Sequence, residues 1–152
     1  MGVLYALVFF LLNKHVRAAT PENQVKTTFG TVTGNLNSYA REFLGIPYAL
    51  PPLRFEPPKP WNKTFTPNGN LDARKFGAIC VQLPEPSGPP PGSFMSEDCL
   101  TLNVFSPRLA STSQQRSYPV MLWIHGGALT TGSAMLPAYV RVTEFAFNLM
   151  PV

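Results

Sequence analysis

Five apolar residues, Val120 to Ile124 (VMLWI), run without a break into His125-Gly126-Gly127-Ala128. Consecutive glycines let a backbone turn without a Cβ clash and let main-chain N–H groups face outward. Such N–H groups, aimed at one point, hold the negative oxygen that develops during acyl transfer. A Gly-Gly turn after a strand also occurs with no chemistry attached, and the tetrapeptide alone does not separate the two readings.

Two further features concern the compartment rather than the reaction. Asn62-Lys63-Thr64 is an N-glycosylation acceptor in a stretch with little apolar periodicity, as a surface loop would have. Cys80 and Cys99 are an even pair. In an oxidising compartment they read as one disulfide, whose ring would remove about 3 kcal/mol of unfolded-state entropy, and otherwise as two buried free thiols. The amino terminus favours the oxidising compartment. Val3 to Leu12 (VLYALVFFLL) is continuously apolar and too short for the ~20 residues that span a bilayer. It is followed by Val16-Arg17-Ala18, with small residues at positions −3 and −1 of a cleavage site. Residues 1–18 are therefore expected to be a signal peptide, against the competing reading of a buried strand or helix start, and the protein to be secreted and extracellular. Removing them takes away Lys14 and Arg17 and brings the formal charge of +4 close to neutral.

The 152 residues suffice for one ordinary domain, and the 45% apolar share can build a core. Only 13% of residues are charged, against a usual quarter, while 17 prolines are about double the usual share. That excludes a coiled coil and a highly charged disordered tail. No run of Lys or Arg is present, so nucleic acid is not an expected partner. No transmembrane segment, metal site or cofactor motif is expected either, and nothing in the chain sets an oligomeric state.

The elements that must position the glycine turn read as strands. Val25 to Leu36 alternates β-branched and polar residues around Gly30 and Gly34, giving strand, turn, strand. Arg41 to Ala49 is a further short strand entering a loop with Pro47, Pro51, Pro52, Pro57, Pro58 and Pro60, which forbid helix and central strand alike. We read this loop as packed irregular structure; a PxxP ligand is the alternative. Asp72 to Ala78 could hold a short helical turn, and Pro84 to Ser93 is a surface segment. Leu100 to Phe105 alternates as a half-buried strand stopped by Pro107, and Val120 to Ile124 has the unbroken apolar pattern of a strand covered on both faces.

Several blocks together are more specific than any one of them. In order, they are Phe29-Gly30-Thr31-Val32-Thr33-Gly34, Phe43-Leu44-Gly45-Ile46-Pro47-Tyr48-Ala49, Leu53-Arg54-Phe55, Ser96-Glu97-Asp98-Cys99-Leu100-Thr101-Leu102-Asn103-Val104 and Val120 to Ala128. Over roughly residues 25–134 the chain resembles the N-terminal portion of the type-B carboxylesterase/lipase family, the cholinesterase-like α/β-hydrolases, and most of all its secreted fungal lipase-like members. The resemblance implies an α/β fold: N-terminal antiparallel strands leading into a mixed central sheet, here incomplete. It implies residues 19–134 as the N-terminal part of that domain and 135–152 as a divergent tail. It also implies Gly127 and Ala128 as oxyanion-hole donors, supported by His125 and Gly126, a disulfide between Cys80 and Cys99, and a buried structural ion pair between Arg54 and Glu97. The implied activity is serine carboxylic-ester hydrolysis, on small esters or lipids, without a cofactor.

The resemblance also shows what is missing. The family needs a serine on a G-x-S-x-G elbow, then an acid and a histidine. The sequence has no G-x-S-x-G; Gly132-Ser133-Ala134-Met135 does not match. Its only histidine besides His15 is His125, and Asp72 and Asp98 fall at structural positions of the family, so an unrelated triad built from these is disfavoured. The nucleophile, acid and base are expected beyond Val152, leaving the chain inactive alone. A few residues usual between Pro52 and Leu53 are absent, and after Ser133 the wording diverges. We expect a truncated product, poorly stable in isolation. The alternative is a non-catalytic, cholinesterase-like binding or adhesion protein, or a secreted decoy.

Overall fold

The computed structural model describes residues 21–83, 90, 92–108 and 118–136. The apolar amino-terminal segment, the Pro84–Pro89 stretch and the tail from Pro137 lie outside the described residues. Eight strands and no helix occur among those described.

Strand β1 (Gln24–Thr27) and strand β2 (Gly30–Thr33) form an antiparallel hairpin, with Val25 opposite Val32. Thr27 closes its turn: the Phe29 N–H donates to Oγ1 at 3.1 Å and Oγ1 donates to the Gly30 carbonyl at 2.9 Å. Strand β5 (Asn70–Asp72) joins β2 in parallel, placing Leu71 beside Val32. A second sheet holds β3 (Asn35–Leu36), β4 (Ala40–Pro47) and β8 (Thr101–Pro107) in that order. Asn37 makes the β3–β4 turn by accepting the Tyr39 and Ala40 N–H groups at 2.9 and 2.7 Å. Two short strands, β6 (Ile79–Cys80) and β7 (Met95–Ser96), pair in parallel.

Ala73 links the two larger sheets, donating to the Thr33 carbonyl at 2.7 Å while its own carbonyl accepts Leu44 N–H at 2.8 Å. Around it Val32, Phe43 and Ala73 form a small buried core, flanked by Ile46, Phe65 and Leu71. The short helical turn expected over Asp72 to Ala78 is not formed. Asp72 ends β5, residues 74 and 75 bend, and the buried Ala73 uses its backbone between sheets rather than along a helix.

Strand β4 carries a bulge: its antiparallel register against β8 shifts between Phe43 and Ile46. Gly45 makes it possible, with φ at +67° and a backbone so close that an added Cβ would lie 2.8 Å from Gly77 N and 2.9 Å from Lys75 O. The proline-dense loop departs from the packed reading. Its base is tied, with Ala49 bridging Pro60 and the Leu50 N–H donating to the Lys59 carbonyl at 2.9 Å, but almost all of residues 51–60 are exposed.

Val120 to Ile124 differs most from its sequence pattern. No strand forms there, and Val120, Leu122 and Ile124 are 95%, 82% and 78% exposed. An unbroken apolar run makes a central strand only when neighbours flank it on both sides, and no described strand lies beside this one.

Candidate functional site

The glycine turn folds back on itself. Gly127, Ala128 and Leu129 are consecutive left-handed positions, with φ of 130°, 51° and 61°. The Gly127 carbonyl collects the return limb, accepting the Thr130 and Thr131 N–H groups at 3.0 and 2.9 Å. An alanine at Gly127 would drive its Cβ into the Thr131 carbonyl, and one at Gly132 would meet the Gly126 carbonyl and the His125 ring. Both limbs are thus in backbone contact, and non-glycine residues held at positive φ store strain of about 1–3 kcal/mol each.

That geometry leaves the two candidate donors open. Neither the Gly127 nor the Ala128 N–H has an acceptor among the described residues, and both residues are exposed. His125 is half-buried, and with the proton on Nδ1 it donates to the Gly126 carbonyl at 2.9 Å. It is thereby engaged with its own loop.

Side chains from the scaffold hold the return limb. Gln82, two residues after Cys80, accepts the Gly132 N–H on Oε1 at 2.7 Å. Its Nε2 donates to the Gly132 carbonyl at 2.9 Å and to the Cys80 carbonyl at 3.1 Å. Asn103 on β8 accepts the Gly45 N–H at 3.0 Å and donates to the Ala134 carbonyl at 3.3 Å. Gln82 lies outside every block that carries the resemblance, and Asn103 lies inside the Ser96–Val104 block, where nothing in the pattern marked its part in holding this limb. Cys80 and Cys99 are disulfide-bonded, with Cα atoms 5.0 Å apart, which fastens β6 to the segment leading into β8.

Arg54 and Glu97 do meet, but not in a buried pair: their side chains are 71% and 52% exposed. Arg54 also lies over the ring of Phe55, itself in the left-handed region at φ 66°. On a surface turn the pair gives at most about 1 kcal/mol. Asp72 is held by Arg74 through two 2.7 Å hydrogen bonds, which keep its carboxyl below the ordinary carboxylate range. Asp98 is exposed, and neither aspartate bonds His125 among the described residues. Asn62 is exposed, between Trp61 and Lys63, whose ammonium sits 5.2 Å above the Trp61 ring. Among the described residues no cluster of His, Cys, Asp and Glu could hold a metal, and no helix is long and apolar enough to cross a membrane.

The model of the Carboxylesterase family matches residues 21–148, and the chain belongs to that family. Among its relatives, acetylcholinesterase of Electrophorus electricus is 37% identical, over 91% of this chain and 24% of that protein. Para-nitrobenzyl esterase of Bacillus subtilis is 40% identical, over 76% of this chain and 23% of its own length. Human carboxylesterase 3 is 38% identical over 88% of this chain and 26% of its own. A solved structure of a PNB esterase matches with a TM-score of 0.61 at 39% identity, over 78% of this chain and 23% of that one. The strands are therefore the N-terminal portion of an α/β-hydrolase fold, and the chain spans about a quarter of the length of these relatives.

Proposed function

We propose that these residues supply the oxyanion-binding segment of a secreted serine hydrolase acting on carboxylic esters, acyl lipids among them. The observation that carries this reading is the pair of N–H groups at Gly127 and Ala128 that have no acceptor among the described residues, presented by a turn that only a glycine at 127 can make. In the tetrahedral intermediate the former carbonyl oxygen becomes an anion. Two fixed N–H dipoles stabilise it more than the neutral carbonyl, and removing one such donor from a hydrolase costs about 10²–10³ in kcat. Gly126 lets the chain enter the turn, and His125 steadies it through the Gly126 carbonyl.

The acyl-carrying serine, its base and its acid are not among these 152 residues: no G-x-S-x-G occurs, and His125 is committed to the turn. Residues 1–152 alone are accordingly inactive. Secretion is supported by the apolar segment ahead of Val16-Arg17-Ala18, and N-glycosylation at Asn62 by that residue's exposure. The test compares p-nitrophenyl ester hydrolysis by the 152-residue chain and by the full-length protein carrying these residues. Turnover only by the latter supports the reading. Turnover by neither overturns it and favours a non-catalytic binding protein.

A further inference from the structure

The two limbs of the loop bearing Gly127 and Ala128 meet the scaffold differently. Its outgoing limb, Val120 to Ile124, belongs to no sheet among the described residues and lies largely in solvent. Its return limb is gripped at Gly132, where one side-chain amide takes both the N–H and the carbonyl of the same residue, at 2.7 and 2.9 Å. That amide, Gln82, is anchored to the Cys80 carbonyl at 3.1 Å, beside the disulfide. Gly132 in turn lies against the Gly126 carbonyl and the His125 ring, closely enough that an added Cβ would come within 2.7 Å of His125 Nδ1. A displacement of Gly132 therefore moves the residues immediately before the donors.

We infer that Gln82 is a positioning residue for the oxyanion donors, fixing Gly127 and Ala128 through Gly132; the inference rests on the esterase reading and deepens it. A primary amide is the side chain that fits this task. It presents a donor and an acceptor side by side, matching the N–H and C=O of a peptide. Glutamate keeps the acceptor for the Gly132 N–H but loses both donations, and leucine loses all three bonds at similar size. Gln82 touches no reacting atom. Its effect falls on where the donors point, which matters because they must meet the oxygen of the intermediate and not that of the ground state.

The test uses the full-length protein carrying these residues, as wild type, Gln82→Leu and Gln82→Glu, with two readouts. By amide hydrogen exchange, Thr130, Thr131 and Gly132 exchange about tenfold faster or more in Gln82→Leu, while the amides of β4 and β8 keep their rates. In p-nitrophenyl ester hydrolysis, kcat falls about tenfold or more with KM within about twofold, less than the 10²–10³ lost with a whole donor. Gln82→Glu lies between the two in both readouts, and it carries the comparison if the leucine variant does not fold. Unchanged loop exchange, an equal rise throughout β4 and β8, or a loosened loop with unaltered kcat overturns the inference. A wild type that hydrolyses no ester defeats the esterase reading, and with it the positioning role.

Discussion

Asn103 and Gly45 are joined across the β4–β8 ladder: the Gly45 N–H, freed from the ladder by the bulge, donates to Asn103 Oδ1 at 3.0 Å. The same amide donates from Nδ2 to the Ala134 carbonyl at 3.3 Å, so the bulge and the end of the glycine loop share one side chain. A β-bulge leaves a backbone group without its ladder partner, and here a side chain on the neighbouring strand, 58 residues along the chain, satisfies it.

Replacing that side chain should therefore cost more than its partial exposure suggests. Asn103→Leu leaves the Gly45 N–H without an acceptor and is expected to destabilise the fold by about 1–3 kcal/mol. Asn103→Asp retains the oxygen that receives Gly45 and is expected to cost less. Urea midpoints of the three proteins check both the size and the order.

The Asp72–Arg74 pair predicts an acid limb of known sign. The folded-state pKa of Asp72 is lowered, chiefly by the Arg74 side-chain hydrogen bonds. The charged carboxylate is thus favoured in the folded state. Its contribution is present above the ordinary aspartate value of about 3.9 and is lost as pH falls through the lower folded value. Asp72→Asn should have lower stability than wild type at pH 6, and the gap should close as pH falls below about 4. Because both side chains are well exposed, at 57% and 59%, the effect is small, and raised salt should shrink it. Denaturant midpoints from pH 2 to 6 check this.

Asn62 should carry a glycan when the protein passes through a secretory pathway. Its exposure leaves the amide accessible, and Thr64 completes the acceptor sequence. Treatment of secreted protein with an N-glycosidase should lower its mass by one glycan, and Asn62→Gln should abolish that shift. An intact mass equal to the bare polypeptide would contradict the assignment.

The strands were legible where alternation and β-branching agreed, as at Val25 to Leu36 and Leu100 to Phe105, because a half-buried pleated strand imposes a period of two. The glycine turn was legible because few backbones other than glycine reach φ of +130° against a neighbouring carbonyl. Asp72 to Ala78 misled because a short polar stretch without periodicity is decided by tertiary bonds, here those of Ala73. Val120 to Ile124 reads as a covered strand, yet coverage is supplied by neighbours and not by its own side chains. The pairing of Arg54 with Glu97 came from the family resemblance and not from the residues themselves, and the two meet on an exposed turn rather than in a buried pair, because burial follows from what surrounds the turn. Gln82 gave no signal, because a lone uncharged amide has no pattern until the fold brings a backbone to it, and the Ser96–Val104 block contains Asn103 without revealing which backbone its amide meets.

The central claim is that Gly127 and Ala128 hold an oxyanion. The most direct measurement is kcat/KM for p-nitrophenyl ester hydrolysis by the full-length protein as wild type, Gly127→Ala and Ala128→Gly. Gly127→Ala forces a Cβ into the Thr131 carbonyl at a positive φ and turns the donors away, so a loss of about 10²-fold or more is predicted. Ala128→Gly keeps its N–H at a φ of 51° that glycine accepts more readily, so activity within about twofold of wild type is predicted. Wild-type kcat/KM in Gly127→Ala would contradict the account.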